Sequence, residues 1–335
     1  MDNINKTILE KGFFDEELPE GINLVKEIKY LLKKKNAILL AHYYQTGDIQ
    51  DIADFVGDSL KLAQEAEKTT ADMIVFAGVH FMAETAKILN PTKKVLLPDM
   101  EAGCSLADSA PYEDFKKFKD AHPNHVVVSY VNSSSEVKAL TDIICTSSNA
   151  VHIIDSIPND KEIIFAPDKN LGSYIEKVSG RKMKLWDGAC HVHKEFSLEA
   201  ILKLKKENPT AKIIAHPECE KPILLVSDYV GATSGILKYT QENEADKFIV
   251  ATESGILHQM KKLNPNKIYI PAPPNNLDGA TCACNDCEYM KLNSLKKIYL
   301  ALKYEKPEIL MDEKLRIKAE VPIKRMLEIS AKNNL

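Results

Sequence analysis

One order of landmarks occurs three times along the chain, roughly every 87 residues, and this triplication constrains the fold more than any other feature. In each copy a polar residue ends an apolar run, a hydroxyl residue follows, an alanine ends the next run, and a cysteine closes the unit. The four sets are His42, Tyr130 and His216; Ser59, Ser147 and Thr233; Ala77, Ala166 and Ala251; and Cys104, Cys190 and the group Cys282, Cys284 and Cys287. The shared order indicates three copies of one βαβαβ-type unit.

Short apolar runs alternate with amphipathic segments, a pattern typical of α/β proteins whose parallel strands are covered on both faces. The predicted strands are Ala37–Ala41, Met73–Ala77, Lys94–Leu97, Val126–Tyr130, Val151–Ile154, Ile163–Ala166, Met183–Trp186, Lys212–Ala215, Phe248–Ala251 and Lys267–Ile270. The predicted helices include Asp58–Lys68, Phe81–Leu89, Ser135–Thr141, Leu198–Lys206 and Ile256–Leu263. Units this small are expected to pack together around a pseudo-threefold axis.

The landmarks also predict the division of the chain. It comprises an N-terminal arm (1–22), three repeats (23–106, 107–192 and 193–288) and a C-terminal helical extension (289–335) interrupted at Pro307 and Pro322. Ligands of open α/β sheets bind beyond the carboxyl ends of the strands. All the polar landmarks follow strands, so we expect them to converge on one central site.

Composition limits the class of partner and the location. The 335 residues carry a net charge of −4 without a block of like charge, which argues against nucleic-acid binding. The longest apolar runs are far shorter than the ~20 residues of a membrane-spanning helix. The first twenty residues are acidic and polar, unlike a signal peptide. These features predict a soluble, cytoplasmic protein without a membrane or nucleic-acid partner.

The repeat-terminal cysteines predict a metal site. One thiolate from each unit, meeting at the axis, would form a three-cysteine site for a soft metal, with one metal position left open for a substrate. A [4Fe–4S] cluster with three protein ligands would leave one iron free as a Lewis acid. The repeat does not decide which of Cys282, Cys284 and Cys287 is the third ligand, and Cys284-x-x-Cys287 also has the spacing of a redox pair. Taken singly, Cys104 and Cys190 would be interpreted as small core residues.

Other polar residues near the strand ends suit acid–base and anion-binding roles. His42, Tyr44, His191, His193, His216 and Glu218 are candidates for proton transfer, although an isolated histidine is more often a hydrogen-bonded turn residue. Ser59, Ser147 and Thr233 each precede or begin a predicted helix. They are interpreted either as simple helix caps or as parts of three anion-binding seats. With only three arginines in the chain, such seats would replace arginine in binding a substrate's carboxylates or phosphate.

Several motifs in combination resemble the quinolinate synthase A family of iron–sulfur enzymes, from about residue 36 to the C-terminus. The motifs are NAILLAHYYQTGDIQDIADFVGDSLKLAQEA, PDMEAGCSLAD, SYVNSSSEVKALTDIICTSSNAV, WDGACHVH, HPEC, GATSGIL and CEYMKLNSLKKIYLAL. The resemblance implies three homologous three-layer αβα domains with short parallel sheets around a pseudo-threefold axis, plus C-terminal helices. It also implies condensation of iminoaspartate with dihydroxyacetone phosphate to quinolinate in NAD biosynthesis, with an L-aspartate oxidase or dehydrogenase supplying iminoaspartate.

The resemblance also assigns site residues. It implies that a [4Fe–4S] cluster is held by Cys104, Cys190 and Cys287. The substrate-binding positions that it implies are His42, Ser59, Tyr130, Asn132, Ser147, His193, His216, Glu218 and Thr233. From this set and Tyr44 we predict Glu218 as general base, Tyr44 and Tyr130 as proton donors, and His193 as a catalytic residue that orients the reacting groups. Where family members often have H-N-Y-Q, this chain has His42-Tyr43-Tyr44-Gln45. Where some members have C-x-x-C-x-x-C, it has Cys282-x-Cys284-x-x-Cys287, which leaves a redox role of Cys284 open.

Two alternative functions use the same residues. An aconitase-like hydro-lyase would share the open iron but act on a hydroxy-acid, so assays of quinolinate formation against malate or citrate dehydration separate the two enzymes. A metal sensor would have a fully liganded cluster and no response of its iron spectrum to substrates. The clustered acid–base residues favour an enzyme over a sensor.

Overall fold

The computed structural model describes residues 2–275 and 285–335. Along the chain, one series of nine helices and strands occurs three times. An N-terminal helix, α1 (Asp2–Lys11), precedes the first series. The first series is α2 (Leu24–Lys34), β1 (Ala37–His42), α3 (Gly47–Ile52), β2 (Phe55–Gly57), α4 (Ser59–Lys68), β3 (Met73–Ala77), α5 (His80–Leu89), β4 (Lys94–Leu96) and α6 (Ser105–Asp108). Each series therefore ends in a helix of four residues.

The second and third series have the same order. The second is α7 (Tyr112–Asp120), β5 (Val126–Tyr130), α8 (Ser135–Ala139), β6 (Ile143–Cys145), α9 (Ala150–Asp155), β7 (Ile163–Ala166), α10 (Lys169–Ser179), β8 (Lys184–Leu185) and α11 (His191–Lys194). The third is α12 (Leu198–Glu207), β9 (Lys212–Ala215), α13 (Lys221–Val226), β10 (Tyr229–Val230), α14 (Thr233–Glu242), β11 (Lys247–Ala251), α15 (Ile256–Leu263), β12 (Ile268–Pro271) and α16 (Glu288–Lys291). Two helices, α17 (Leu295–Tyr304) and α18 (Glu313–Lys332), follow.

Each series forms a four-stranded parallel sheet, and the strand order is the same in all three. The orders are β2-β1-β3-β4, β6-β5-β7-β8 and β10-β9-β11-β12. The register matches as well, because the residue before each polar landmark pairs with the alanine landmark: Ala41 with Ala77, Ser129 with Ala166, and Ala215 with Ala251. The predicted fold class, three αβα units with short parallel sheets and C-terminal helices, is confirmed.

The central strands are buried because apolar side chains occupy both of their faces. In β3 all five residues are buried, and Ile74 and Val75 point to opposite faces of the sheet with no exposed surface. Full burial of a side chain of this size contributes roughly 1.5–3 kcal/mol. Helices α4 and α5 cover the Ile74 face and helices α2 and α17 cover the Val75 face, which leaves the carboxyl ends of the strands to carry polar residues.

One predicted strand is wrong, and three strands were not predicted. Val151–Ile154 lies inside helix α9, in which Ala150, Ile153 and Ile154 are buried and His152 is not, as expected for one face of a helix. The unpredicted strands β2, β6 and β10 are two or three residues long and lie at the edge of each sheet. Runs of two or three residues are too short to show the alternation of apolar and polar residues that predicts a strand.

The C-terminal helices pack on the first two repeats. Helix α17 contacts α2 and β3, whereas α18 contacts α5, α8 and β6. Pro307 separates the two helices as predicted, but Pro322 does not interrupt α18, where its ring is buried inside the 20-residue helix. Tertiary packing offsets the missing N–H. No helix of the described residues is both long and apolar enough to cross a membrane. The domain boundaries given above remain predictions.

Candidate active site

The carboxyl ends of strands from all three sheets face one cavity. The space between its lining atoms amounts to about 660 Å³. The sequence-predicted site residues that line it are His42, Tyr44, Ser59, Cys104, Tyr130, Asn132, Ser147, Cys190, His193, His216, Glu218, Thr233 and Cys287. The structure thus brings every predicted site residue to one cavity, while the individual roles remain predictions. Cys282 and Cys284 lie outside the described residues.

Each predicted cysteine ligand is the N-cap residue of the four-residue helix that ends its repeat. Cys104 precedes α6, Cys190 precedes α11 and Cys287 precedes α16. Burial raises the pKa of the Cys104 thiol to about 12 and that of the Cys287 thiol to about 11. Free thiols here are therefore protonated at neutral pH, and metal binding would release their protons.

The three thiols do not stand at the spacing of a single-ion site. Among the described residues, only Cys190, His193 and Glu218 place three ligand atoms within 4.8 Å of one another, so the three cysteine sulfurs do not meet that closely. Three thiolates on one tetrahedral zinc ion would stand roughly 3.8 Å apart. In an iron–sulfur cluster the cysteines bind different iron atoms and are spaced more widely. The three thiols in one cavity therefore fit such a cluster.

Two buried carboxylates hold the backbone of two of these cysteines. Asp168 Oδ2 accepts a hydrogen bond from the Cys190 N–H at 3.2 Å, and Glu253 Oε1 accepts one from the Cys287 N–H at 3.2 Å. Glu253 also pairs with Lys291, whose Nζ lies 2.8 Å away. Sequence reasoning missed both carboxylates, although each stands two residues after an alanine landmark. That shared position was the available signal.

Glu218 lies at the centre of a buried proton-transfer network. The Tyr130 hydroxyl donates to Glu218 Oε1 at 2.5 Å, and His193 Nδ1 lies 3.1 Å from Oε2. His216 stacks on His193 with ring centroids 4.6 Å apart. Burial by itself raises the pKa of Glu218, but the two histidines and the tyrosine outweigh it and hold this pKa below its usual range. Glu218 is therefore an ionised carboxylate at neutral pH.

Two imidazoles and two phenols near Glu218, those of His42, His216, Tyr44 and Tyr130, are neutral. Burial lowers the pKa of His216 to about 3 and that of His42 to about 4. Burial also raises the pKa of Tyr44 and of Tyr130 well above 10, so both phenols keep their protons. The site consequently combines one ionised acceptor with several neutral donors, an arrangement suited to successive proton transfers.

Hydroxyl groups connect the first repeat to the third. The Tyr44 hydroxyl lies 2.7 Å from Thr252 Oγ1 and 3.2 Å from Thr233 Oγ1. Thr252 Oγ1 in turn lies 3.0 Å from His193 Nε2. Tyr44 and His193 are therefore joined through a single threonine, which fixes the position of both rings at the cavity wall.

The predicted anion seats differ from one another. Thr233 and Ser59 are the first residues of α14 and α4, but the N-cap of α4 is Asp58, whose carboxylate accepts hydrogen bonds from the Lys61 N–H at 3.0 Å and from the Ser148 hydroxyl at 2.8 Å. A carboxylate of the protein already occupies that helix end. Asp58 was not predicted, although an aspartate before a helical run is a common cap signal.

Two buried polar atoms of the cavity wall have no hydrogen-bond partner. They are Asn132 Oδ1 and Thr146 Oγ1. An unsatisfied buried polar atom costs about 1–3 kcal/mol, so native proteins rarely keep one without a ligand or water. Both atoms are therefore expected to contact a bound molecule.

Fold and cavity together define the class as a triplicated αβα protein whose central cavity receives a cysteine from each repeat. The sequence model of the quinolinate synthetase A protein family matches residues 26–328. The quinolinate synthase of Chloroherpeton thalassium is 56% identical over 309 residues, which cover 92% of this chain and 95% of that protein. The quinolinate synthase of Nostoc punctiforme is 58% identical over 314 residues, which cover 94% of this chain and 95% of that protein.

This chain belongs to the quinolinate synthetase A family, and the resemblance drawn from its motifs is confirmed. Among solved structures, the E-1-hydroxy-2-methyl-but-2-enyl-4-diphosphate reductase of Plasmodium falciparum aligns with 74% of this chain and 78% of its own, at 13% identity and a TM-score of 0.28. A similarity at that level carries no argument about this fold or its function.

Proposed function

We propose that this chain is a quinolinate synthase that condenses iminoaspartate with dihydroxyacetone phosphate to quinolinate, releasing phosphate and water. The observation that carries the proposal is the convergence, in one buried cavity, of a cysteine from each repeat with the network around Glu218. High identity to quinolinate synthases over nearly the whole chain supports the same activity. Iminoaspartate would come from an L-aspartate oxidase or dehydrogenase, and we place the enzyme in the cytoplasm and in NAD biosynthesis.

We assign Cys104, Cys190 and Cys287 as the ligands of a [4Fe–4S] cluster. When bound, such a cluster with three protein ligands supplies one open iron that polarises an oxygen or nitrogen of the substrate. The short helices behind the cysteines direct backbone N–H groups toward their sulfurs, which stabilises thiolate over thiol. No other described cysteine lines the cavity, because Cys145 and Cys219 are buried elsewhere.

The protein's own residues would move the protons. Ring formation requires several proton transfers in succession, and Glu218 is the ionised group that can accept a proton at neutral pH. Tyr130, which belongs to the second repeat, donates a hydrogen bond to Glu218 and is positioned to exchange a proton with it. Tyr44, held by Thr233 and Thr252, is a second donor, and His193 orients Glu218. Glu218, His193 and Tyr130 are at most 4% exposed, which keeps bulk water away from this part of the network.

The substrate's anionic groups would bind where the wall offers unpaired polar atoms and helix ends. The unpartnered Thr146 hydroxyl and the neutral side chains of His42, His216, Ser59, Ser147 and Thr233 can donate to an anion. The unpartnered Asn132 Oδ1 can only accept, so it would bind an N–H or O–H of the substrate instead. A carboxylate or phosphate placed against the donors gains hydrogen bonds without displacing an existing ion pair. Asp58 makes the end of α4 less favourable for an anion than the end of α14.

The test is anaerobic purification, quantification of iron and sulfide, and measurement of quinolinate formation. We expect about four irons and four sulfides per chain, a change in the iron spectrum on substrate addition, and no dehydration of malate or citrate. Cys104→Ser should lose the cluster and the activity, whereas Cys145→Ala, a buried cysteine outside the cavity, should keep both. A cluster that survives Cys104→Ser, or hydro-lyase activity in place of quinolinate formation, would overturn the proposal.

The role of Glu218 has a separate test. Glu218→Gln preserves the size of the side chain but removes the charge and the proton acceptor. We expect the iron and sulfide content to stay unchanged and turnover to fall by about 100-fold or more, the usual contribution of a general base. Near-normal turnover in Glu218→Gln with substrate bound would contradict the assignment.

A further inference from the structure

A second set of metal ligands shares one residue with the proposed cluster site. Cys190 Sγ lies 3.2 Å from His193 Nδ1, which lies 3.1 Å from Glu218 Oε2. All three ligand atoms are within 4.8 Å of one another, and no other group of three His, Cys, Asp or Glu side chains among the described residues is that compact. His193 and Glu218 are only 2% and 3% exposed.

Two of the three ligand separations are close to those around a single tetrahedral zinc ion. With bonds of 2.0–2.3 Å, the sulfur, nitrogen and oxygen donors of such an ion stand roughly 3.3–3.6 Å apart. The separations of 3.2 Å and 3.1 Å from His193 Nδ1 reach those values with movements of a few tenths of an ångström, and the Cys190 sulfur and Glu218 oxygen lie within 4.8 Å of each other. A set of three protein ligands leaves the fourth position open toward the cavity.

The surroundings of His193 and the charge balance also suit a metal. With Nδ1 on the metal, the other ring nitrogen, Nε2, donates to Thr252 Oγ1 at 3.0 Å, which is the outer hydrogen bond that metal-bound histidines usually make. One thiolate and one carboxylate neutralise a divalent ion, so the complex adds no net charge to the buried cavity. Cys190 loses its thiol proton to solvent as the ion binds.

From these contacts we propose that the cluster-free protein binds one zinc ion at Cys190, His193 and Glu218, and that this ion and the iron–sulfur cluster exclude each other. The exclusion rests on the proposed function, because Cys190 is a ligand in both states while His193 and Glu218 belong to the zinc site alone. Zinc would therefore hold the protein in a form that lacks both its cluster and its free general base.

The experiment starts from protein stripped of iron and sulfide and uses zinc or cobalt(II) as the probe. Calorimetry should give one zinc ion per chain. Cobalt(II) should give a sulfur-to-metal charge-transfer band and the intense visible bands of a tetrahedral ion. Zinc added before iron and sulfide should slow cluster assembly by at least 10-fold, measured as iron incorporated rather than as activity.

Matched variants separate the two sites. His193→Gln keeps all three cluster cysteines, and it should lose tight zinc binding and assemble the cluster at the same rate with or without zinc. Cys104→Ser keeps all three zinc ligands, and it should bind cobalt(II) with the wild-type spectrum while failing to assemble the cluster. Circular dichroism checks the folding of each variant, and Glu218→Gln replaces His193→Gln should the latter not fold.

The outcomes also distinguish this proposal from the proposed function. The zinc site is overturned if wild-type protein assembles a cluster but binds no zinc. It is also overturned if the His193→Gln and Glu218→Gln variants both bind zinc as tightly as the wild-type protein does. Zinc that leaves the rate of cluster assembly unchanged overturns the exclusion. Wild-type protein that binds zinc but never assembles a cluster contradicts the proposed function instead.

Discussion

Asp168 in the second repeat and Glu253 in the third are structural counterparts that make the same contact. Each stands two residues after the end of the third strand of its repeat and accepts a hydrogen bond from the backbone N–H of the repeat's cysteine. The first repeat has Val79 at this position, so Cys104 lacks the equivalent contact. The three cysteines are thus held unequally by the same scaffold.

Asp168→Asn should weaken the contact that holds the backbone of Cys190 in place. The carboxyl group accepts from both Leu171 N–H and Cys190 N–H, whereas an amide offers only one acceptor, so one buried N–H loses its partner. We expect a loss of about 1–3 kcal/mol in unfolding free energy and faster iron release to a chelator. Val79→Ala removes no polar contact and serves as the control. Equal iron release in both variants would contradict this role.

Gly255→Ala should displace Tyr44. A Cβ at position 255 would stand 2.7 Å from the Tyr44 carbonyl carbon and 2.8 Å from its Cα, and backbone cannot move aside as a flexible side chain can. We expect a loss of about 1–3 kcal/mol, measured by thermal unfolding, together with reduced turnover. Gly103→Ala is the control: it makes the same change in the cavity wall, where the new Cβ would meet nothing closer than 3.6 Å. Indistinguishable behaviour of the two variants would exclude the steric account.

Glu305→Gln should remove a stabilising effect that depends on pH. Hydrogen bonds from Lys35, at 2.5 Å, and from Lys94 hold the pKa of the Glu305 carboxyl below its usual range. A lowered pKa in the folded state stabilises the protein above the unfolded pKa, and this stabilisation is lost as the pH falls through the folded value. Because Glu305 is partly exposed, we expect only about 0.5–1 kcal/mol at pH 7.

Urea unfolding of wild-type and Glu305→Gln protein at pH 7 and pH 3 measures this difference. The gap between the two proteins should shrink at pH 3 and also in high salt, which screens the ion pairs. Glu10→Gln, which loses a single pair of 3.9 Å between exposed side chains, is the control and should change little. A gap of the same size at both pH values would show that charge is not its cause.

Arg316→Leu should detach α18 from the first repeat. The Arg316 guanidinium donates to the Ile88 carbonyl at the end of α5 and to the carboxylates of Glu313 and Glu320. Its removal leaves the Ile88 carbonyl unpaired, and we expect a loss of about 2–4 kcal/mol by chemical denaturation. Arg316→Lys should recover only part, because a lysine cannot make all these bonds. Full recovery by lysine would mean that charge alone matters.

The repeat made the architecture predictable from the sequence. Landmarks such as His42, Tyr130 and His216 fall at equivalent strand ends. In each sheet the residue just before the landmark pairs with the alanine that ends the neighbouring strand. The central strands are long enough for their apolar character to be unambiguous. The edge strands, two or three residues long, depend on pairing with a neighbour and leave no local signal.

The site was only partly predictable, because neighbouring residues of one motif separate in space. In the motif CHVH, nothing in the sequence distinguishes the role of His191 from that of His193. Helix α11 turns His193 back over Cys190, three residues earlier, and sends His191 to Ser105, 2.6 Å from its hydroxyl. Asp168 and Glu253 were missed because their partners are backbone N–H groups far along the chain, which carry no residue identity.

Delivery of one cysteine from each repeat has a consequence for biosynthesis. While the ribosome is still extending the third repeat, the emerging polypeptide offers Cys104 and Cys190 but not Cys287. If Cys104, Cys190 and Cys287 hold a cluster as proposed, its binding place is complete only after translation has reached α16, and a product truncated before Cys287 would lack the third ligand.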